Sequence, residues 1–427
     1  MKLATAIVFS TYVMVGCQIP QNGQIMEADA GEDESLALDG DDTQAIQDSS
    51  ADANVDAFND ASTDAGPFSP NPRLVDLEPN HSLDLGPYQC TTAPGDLSCA
   101  RVTEFSGFTY DAKNHQLLMF GGGHATTFTD SVYRFDINSL EWSALYEQTP
   151  CDYLTLDNLD TTRGAWLSGP SGPYPRPISR HTYDELIVVG DELIMLASAN
   201  GKGSCAEPID NSDDPYHFPA RVAHYDITAN TWSFSETAKG DHRAGYDYPG
   251  ADYDPLSGLV VSLGAQHLEV YDPVTKTEEV VVQGDYGDEH AFPERGEMGI
   301  EASLVYFPPN DKFYYIGRHN LERVTVWELS LHRSDMGNST LQVVETTGTP
   351  PEQRRGFAYD NHNEIIGGGV RDGKFYAFHP EERSWEELAI QGDTPGNVAF
   401  HALAFDPINN VFFFLDMNHE MWAYRYR

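Results

Sequence analysis

The chain has 427 residues, with 67 Asp and Glu against 25 Lys and Arg, which gives a formal net charge of −42. This charge argues against nucleic acid as a partner and against adsorption to an anionic lipid surface, because both need a basic footprint. Its 22 Tyr, 21 Phe, 36 Gly and 26 Pro favour short strands joined by turns over helices.

The N-terminus predicts export. Lys2 is followed by an apolar run over residues 3–15, which is too short to cross a bilayer but fits the apolar region of a signal peptide. The run ends in Met14-Val15-Gly16-Cys17, which resembles a bacterial lipobox, although Met14 replaces the usual Leu. The resemblance implies cleavage before Cys17 and lipid on its sulfur. We therefore expect residues 1–17 to be a lipoprotein signal peptide with its lipobox Cys; a plain signal peptide with an incidental Cys is the alternative.

Residues 18–72 predict a disordered acidic tether. They contain 13 Asp and Glu, no Lys or Arg, and few large apolar side chains. Such a segment cannot bury enough surface to offset the entropy lost on ordering, and its self-repulsion extends it. Gln18 is not the Asp that resembles an inner-membrane retention signal. We therefore expect the domain of residues 73–427 to be held by a lipid anchor at the bacterial outer membrane or cell surface.

Four further cysteines indicate disulfides. An even number of cysteines in an exported protein favours two bridges, and sequence alone does not choose among the three pairings. A Cys90–Cys99 bridge would close a small loop, and a Cys151–Cys205 bridge a longer one. The cysteines are Cys90, Cys99, Cys151 and Cys205.

From about residue 100 the chain repeats one unit of short strands. A first strand ends in an aromatic residue and usually Asp, an apolar second strand follows, and a third strand precedes Trp in three units. Such all-β repetition indicates a β-propeller. We count six units and predict six blades, with a seventh in the insertions near 150–180 or 273–300 as the alternative. Because an open ring leaves exposed strand edges, an N-terminal strand, best placed at 73–80, should close it. The first strands are predicted to end at Tyr110-Asp111, Tyr183-Asp184, Tyr253-Asp254, Tyr306, Tyr359-Asp360 and Phe405-Asp406.

Two units resemble kelch and galactose-oxidase-like propellers. Residues 107–142 carry Gly121-Gly122-Gly123, Tyr133 and Trp142 in kelch order, and residues 364–385 form the second unit. The resemblance covers roughly residues 100–427. It implies an all-β, kelch-like propeller whose loops at one face bind ligands.

Basic side chains and histidines gather at that predicted face. In an antiparallel blade, the start of the first strand and the end of the second lie at the same edge. Arg pairs with carboxylate or sulfate, and His donates, accepts or acts as a base, so we expect an anionic ligand such as a uronate or sulfated glycan. The alternative is that these Arg residues only pair with Asp in neighbouring loops. The predicted ligand-binding residues are Arg180, His267, Arg318, His319, Arg355, Arg371, His401 and His419.

A smaller set has the residue types of a polysaccharide lyase, which needs a base for a proton next to a uronate carboxylate and a cation for that carboxylate. Tyr183 also fits the repeated aromatic-Asp signature, which favours a core role for it. The candidate catalytic residues are His124, His181, Tyr183, Arg243 and Tyr246.

No short catalytic motif is present, so the prediction of function depends on the Arg and His residues of the predicted ligand-binding face. Three functions stay open: binding of an anionic glycan or cell-envelope ligand, a polysaccharide lyase acting on uronates, and a protein-interaction scaffold. The first is preferred, and the enzyme reading is the weaker one. A copper oxidase is disfavoured because the cysteines are assigned to disulfides. We expect no cofactor and no metal, with turn-forming roles for Asp136, Asp226 and Asp272, and we expect a monomer.

Overall fold

The computed structural model describes residues 68–88, 105–121, 129–196, 221–236, 249–264, 267–283, 302–319, 323–352 and 355–427. The predicted signal peptide, Cys17 and nearly all of the predicted tether lie outside these residues and stay predictions. None of the helices in the described ranges has the length and apolar character that a membrane crossing needs.

Strands make up most of the described chain. One short α-helix, α1 (Pro72–Val75), precedes them, and 3-10 turns occupy Cys151–Tyr153, Leu156–Asn158, Pro308–Asn310 and Met336–Asn338. The strands are, in chain order, β1 (His81–Pro87), β2 (Thr109–Asp111), β3 (Gln116–Phe120), β4 (Val132–Asp136), β5 (Glu141–Ala144), β6 (Leu159–Asp160), β7 (Ala165–Trp166), β8 (Arg176–Pro177), β9 (Leu186–Val189), β10 (Glu192–Met195), β11 (Ala223–Asp226), β12 (Thr231–Phe234), β13 (Gly250–Asp254), β14 (Leu259–Leu263), β15 (His267–Asp272), β16 (Thr277–Gln283), β17 (Ser303–Phe307), β18 (Lys312–His319), β19 (Arg323–Ser330), β20 (Thr340–Val344), β21 (Phe357–Asp360), β22 (Ile365–Arg371), β23 (Lys374–His379), β24 (Ser384–Ala389), β25 (Gln391–Gly392), β26 (Val398–Asp406), β27 (Val411–Asp416) and β28 (Glu420–Arg425).

These strands form a β-propeller, as predicted. Five sheets are four-stranded antiparallel meanders, β2–β5, β9–β12, β13–β16, β17–β20 and β21–β24, and a sixth contains β26, β27 and β28. The first strands of the six sheets contact one another in cyclic order, from β2 through β9, β13, β17, β21 and β26 back to β2. Sheets arranged around a common axis in this way are characteristic of a propeller. The blade count of the whole chain and the kelch relationship stay predictions.

An additional three-stranded sheet, β6-β7-β8, occupies the insertion near 150–180. Each of its strands is two residues long. It contacts β12, the outer strand of the second sheet, through β8. Cys151 lies just before this sheet and is disulfide-bonded. The other four cysteines lie outside the described residues, so the disulfide pairing stays a prediction.

The ring is closed by an N-terminal strand, but not by residues 73–80. Strand β1 pairs antiparallel with β28 and parallel with β25, so it completes the last sheet. Residues 72–75 are helical instead, because Asn71 caps the helix by accepting from Arg73 N at 2.9 Å and Pro72 suits the first helical turn. The predicted position of the closing strand was therefore wrong, because the strand lies directly after residues 73–80.

The recurring Trp residues stabilise the outer half of three sheets. Each lies on a fourth strand, directly opposite an aromatic residue of the third strand. Cross-strand aromatic pairs of this kind are typical stabilising contacts in sheets. The ring centres of the three pairs, Phe135–Trp142, Tyr225–Trp232 and Phe378–Trp385, are 5.2, 5.0 and 5.1 Å apart.

The Asp residues that end the third strands hold turns. Oδ1 of Asp136 accepts from Asn138 N at 2.9 Å, Asp226 accepts from Ala229 N at 2.7 Å, and Asp272 accepts from Val274 N at 2.8 Å. Such Asx hydrogen bonds replace the ladder where a strand ends. These carboxylates therefore have a clear role in ending strands.

The repeat pattern misplaced the first strand of the second sheet. The sequence predicts that this strand ends at Tyr183-Asp184, but β9 begins only at Leu186. Tyr183 has a φ of +42°, and Glu185 N donates to Thr182 O at 2.8 Å, so the backbone turns here instead of extending. Tyr183 and Asp184 therefore lie before the strand, at the edge where we predicted the binding face.

Closure by β1 can be tested at Ser82, which pairs with Gly392 on one side and Tyr424 on the other. We expect Ser82→Pro to lower the free energy of unfolding by about 3 kcal/mol or more, because proline removes a ladder donor and clashes in a paired strand. Differential scanning calorimetry of the whole chain measures this.

Ser82→Ala is the control, because it keeps the backbone N–H and removes only the hydroxyl, which donates to Asp393 O. It should cost much less than proline. If both variants melt at the wild-type temperature, β1 does not close the ring.

Candidate functional site

Three aromatic residues with left-handed backbone meet where the first strands begin. Phe105, Tyr183 and Phe400 have φ values of +59°, +42° and +50°. The ring centres of Phe105 and Phe400 are 4.1 Å apart, and those of Phe105 and Tyr183 are 5.7 Å apart. Positive φ is rare for bulky residues, and it persists where the surroundings enforce it, often at functional sites. This convergence marks the candidate site.

Two glycines allow the segment before β9 to reach this position. A Cβ on Gly107 would lie 2.1 Å from the carbonyl oxygen of Tyr183, and one on Gly121 would lie 2.2 Å from that of Arg180. Phe105 O also accepts from Thr182 N and Tyr183 N, both at 3.0 Å. The first sheet thus fixes the strained turn of the second.

His181 is held by two aromatic neighbours. Its ring stacks on Phe105, with centres 4.6 Å apart and planes 21° apart. Its Nδ1 is hydrogen-bonded to the hydroxyl of Tyr183 at 3.0 Å. His181 is half-buried, whereas Tyr183 is only 2 % exposed. A half-buried imidazole bonded to a phenol can pass a proton between solvent and the buried hydroxyl.

Arg355 reaches the same place from the fifth sheet. Its guanidinium carbon lies 4.5 Å from the centre of the Phe400 ring, a cation–π contact. Burial lowers the pKa of Arg355 to about 10, and its interaction with the Tyr183 hydroxyl opposes this shift. The guanidinium remains charged at neutral pH in a place where water solvates it poorly.

Asp184 extends from the second sheet to the axis. Its Oδ2 accepts from Leu304 N at 2.8 Å, and its backbone oxygen accepts from Ala251 N at 3.1 Å. Its Oδ1 lies 3.7 Å from Nδ1 of His401. Asp184 therefore contacts the third, fourth and last sheets. Burial raises the pKa of Asp184 well above its ordinary value, and the nearby carboxylate of Asp252 adds to the increase.

We call this set the axial cluster. Its members are residues of four sheets, the first, second, fifth and last, that converge at the starts of the first strands. They are Phe105, His181, Tyr183, Asp184, Arg355, Phe400 and His401. His181, Tyr183, Arg355 and His401 were predicted site residues, and the structure brings them together; their roles stay predictions.

Asp184, Phe105 and Phe400 were missed. Asp184 was hidden by its apparent place in the aromatic-Asp signature, and no sequence pattern signals a left-handed Phe.

Other predicted ligand-binding residues have structural contacts. Arg180 is fully buried and donates to Gly164 O at 2.9 Å and Ile178 O at 3.3 Å. His267 begins β15, is 1 % exposed and lies 4.0 Å from Glu269. Their burial leaves little surface for a ligand at the predicted face.

Two further predicted residues lie at or just after the ends of second strands. Arg371 ends β22 and forms ion pairs with Glu352 at 3.1 Å and Asp372 at 3.4 Å. His419 lies in the turn before β28, and its backbone oxygen accepts from Tyr88 N at 2.7 Å. Arg371 is therefore paired with acidic side chains, which is close to the alternative that gave these Arg residues Asp partners in neighbouring loops.

Some predicted residues cannot be placed in the cluster. His124, Arg243 and Tyr246 lie outside the described residues, and only the backbone of Arg318 and His319 is described, within β18. Among the residues that the structure describes, no group of three or more His, Cys, Asp or Glu could hold a metal ion.

Comparison with known proteins adds little to this geometry. No protein-family model matches the chain, and no curated protein matches it. A similar solved structure is that of regucalcin, a calcium-binding protein from Agrobacterium tumefaciens. It is 10 % identical, and the match covers 76 % of this chain and 92 % of that one with a TM-score of 0.42. Similarity at this level carries no argument about function.

The Gly107 contact can be tested directly. We expect Gly107→Ala to cost about 1–3 kcal/mol of stability, because a methyl group cannot fit against the Tyr183 carbonyl and the left-handed turn must shift. Thermal unfolding measures the loss, and near-ultraviolet circular dichroism reports the displaced aromatic cluster.

Gly337→Ala is the matched control, since its added Cβ would meet Asp335 Oδ1 only at 3.5 Å. Equal stability of the two variants would mean that Gly107 does not hold the turn.

Proposed function

We propose that the propeller is the binding module of an exported, lipid-anchored protein and that it binds an anionic glycan or related cell-envelope ligand at the axial cluster. The observation that carries the proposal is Arg355 on the face of Phe400, beside His181 stacked on Phe105. This arrangement combines a poorly solvated cation with aromatic surface. Acidic sugars have the complementary chemistry.

The physical argument begins with Arg355. A guanidinium pairs with a carboxylate through two parallel hydrogen bonds, and such charge-assisted bonds are stronger where water is scarce. Phe105 and Phe400 are half-buried and supply apolar surface for the carbon face of a sugar ring. The net charge of −42 repels an anionic polymer elsewhere, so binding should concentrate at this cluster.

The anchoring part of the proposal rests on the sequence. Cys17 at the end of the lipobox-like motif would carry the lipid, and residues 18–72 would form the tether. Attachment of several acyl chains makes anchoring stable. We propose the outer membrane or cell surface as the location, with kelch-like repeats forming the exported domain.

The binding proposal predicts that Arg355→Ala weakens binding of a short oligouronate about tenfold or more, because a charged hydrogen-bonding partner is lost. Isothermal titration calorimetry measures this, with a neutral oligosaccharide of equal length as the reference ligand. The wild type should bind the acidic chain and not the neutral one.

Arg427→Ala is the control for charge. Arg427 pairs with Glu386 at 2.8 Å and follows β28, at the end of that strand remote from the axial cluster. It should leave affinity unchanged. Equal binding of acidic and neutral chains by the wild type would contradict the proposal.

A polysaccharide lyase is the second candidate, and the hydrogen bond between His181 and Tyr183 favours it. In this reaction a base removes the proton next to the uronate carboxylate, and its electron pair forms a carbon–carbon double bond. The neighbouring carbon–oxygen bond breaks, and the leaving oxygen takes a proton from an acid. Tyr183 and His181 could exchange these protons while Arg355 neutralises the carboxylate.

The lyase candidate predicts a rise in ultraviolet absorbance when the protein acts on a uronate polymer. Tyr183→Phe should slow that rise about 100-fold or more, because it removes the group that carries the proton. Tyr153→Phe is the control, since Tyr153 is 40 % exposed in the insertion. Binding without any absorbance change would exclude the lyase and leave the binding module.

A further inference from the structure

The axial cluster contains one carboxylate, that of Asp184. A carboxylate does not suit a ligand that is anionic throughout, but it suits a ligand that also carries hydroxyl groups. Arg355 and Asp184 are connected through Tyr183 and His401. Tyr183 interacts electrostatically with Arg355 and packs edge-on against His401, with ring centres 6.2 Å apart. His401 in turn lies 3.7 Å from Asp184. Both residues therefore belong to one cluster, so a sugar seated on Arg355 could extend toward Asp184.

We propose that Asp184 determines the ligand class: it accepts hydrogen bonds from free hydroxyls of a sugar whose carboxylate lies on Arg355. The ligand is then a polyuronate with unsubstituted hydroxyls, and a glycan with sulfate esters at those hydroxyls is excluded. This inference rests on the proposed binding function, which left uronate and sulfated glycans both open.

The carboxylate has an oxygen in position for this role. Oδ2 is occupied by the N–H of Leu304 at 2.8 Å. Oδ1 lies 3.7 Å from Nδ1 of His401, which is longer than a hydrogen bond. The side chain is 19 % exposed, so part of it is accessible to solvent. Oδ1 can therefore accept a hydrogen bond from a ligand hydroxyl.

The charges around Asp184 explain the exclusion of sulfate. His401 faces it from β26, Asp252 from β13 and Glu185 from its own segment, while β17 presents only the N–H of Leu304. A sulfate ester has acceptors and no donor, so it cannot pair with a carboxylate. Like charges brought together at an interface are unfavourable, so ionised Asp184 disfavours a sulfate ester at this position.

The experiment compares one oligouronate with its O-sulfated derivative of equal length by titration calorimetry at mildly alkaline pH, because burial raises the pKa of Asp184 and the argument needs its ionised form. The wild type should prefer the free-hydroxyl chain by about tenfold or more. Asp184→Asn should bring the affinity ratio close to one. Asp372→Asn is the matched control: Asp372 follows β22 and is 72 % exposed, so the ratio should stay at the wild-type value.

A pH series on the wild type keeps the test decisive if Asp184→Asn does not fold. Burial raises the pKa of Asp184, so its carboxylate gains a proton as the pH falls, and the preference for free hydroxyls should shrink. Histidines also gain charge as the pH falls and strengthen binding of both anions, so the affinity ratio is the quantity to follow.

The outcomes separate the two proposals. If neither acidic chain binds, the proposed function fails and this inference fails with it. If both chains bind without preference, or if the preference persists in Asp184→Asn and at every pH, Asp184 does not set the ligand class and only this inference is overturned.

Discussion

The close approach of Gly107 to the carbonyl oxygen of Tyr183 is the constraint on which the candidate site depends. It lets the segment before β9 cross toward the axis, where Phe105 O accepts two N–H groups and holds Tyr183 in a left-handed conformation. Asp184 then reaches Leu304 in the fourth sheet and His401 in the last. One turn of the second sheet thus ties together sheets that are not neighbours in the ring, and the same turn places the ionisable groups of the axial cluster.

The chemistry of the cluster follows from this packing. The turn that buries Tyr183 also orients its hydroxyl toward His181, while Phe400 supports the guanidinium of Arg355. A cation, a phenol–imidazole pair and a carboxylate are therefore held within one region of low solvation, on a chain that is otherwise strongly acidic. Such a region suits a ligand with a single acidic group and several hydroxyls on each unit, because each polar group of the ligand then finds a partner of the opposite kind.

The sequence was sufficient for the fold and partly sufficient for the site. Strand alternation, turn-forming Asp residues and the Trp spacing predicted the propeller, since these are local patterns with a fixed period. The closing strand was placed too early because the cap at Asn71 outweighed strand propensity in the next residues. The sequence did not predict Asp184, Phe105 and Phe400 as site residues. No repeating sequence pattern signals a positive φ or a contact across the axis. Arg180 and His267 were predicted from their residue type and their place at strand ends, and only the structure shows that they are buried.

A crystal structure of the protein with a bound oligouronate would test the central claim most directly. We predict that the sugar lies at the axial cluster, with its carboxylate within hydrogen-bond distance of the Arg355 guanidinium and one carbon face against Phe105 or Phe400. Sugar bound at another face of the propeller, with the axial cluster untouched, would contradict the account.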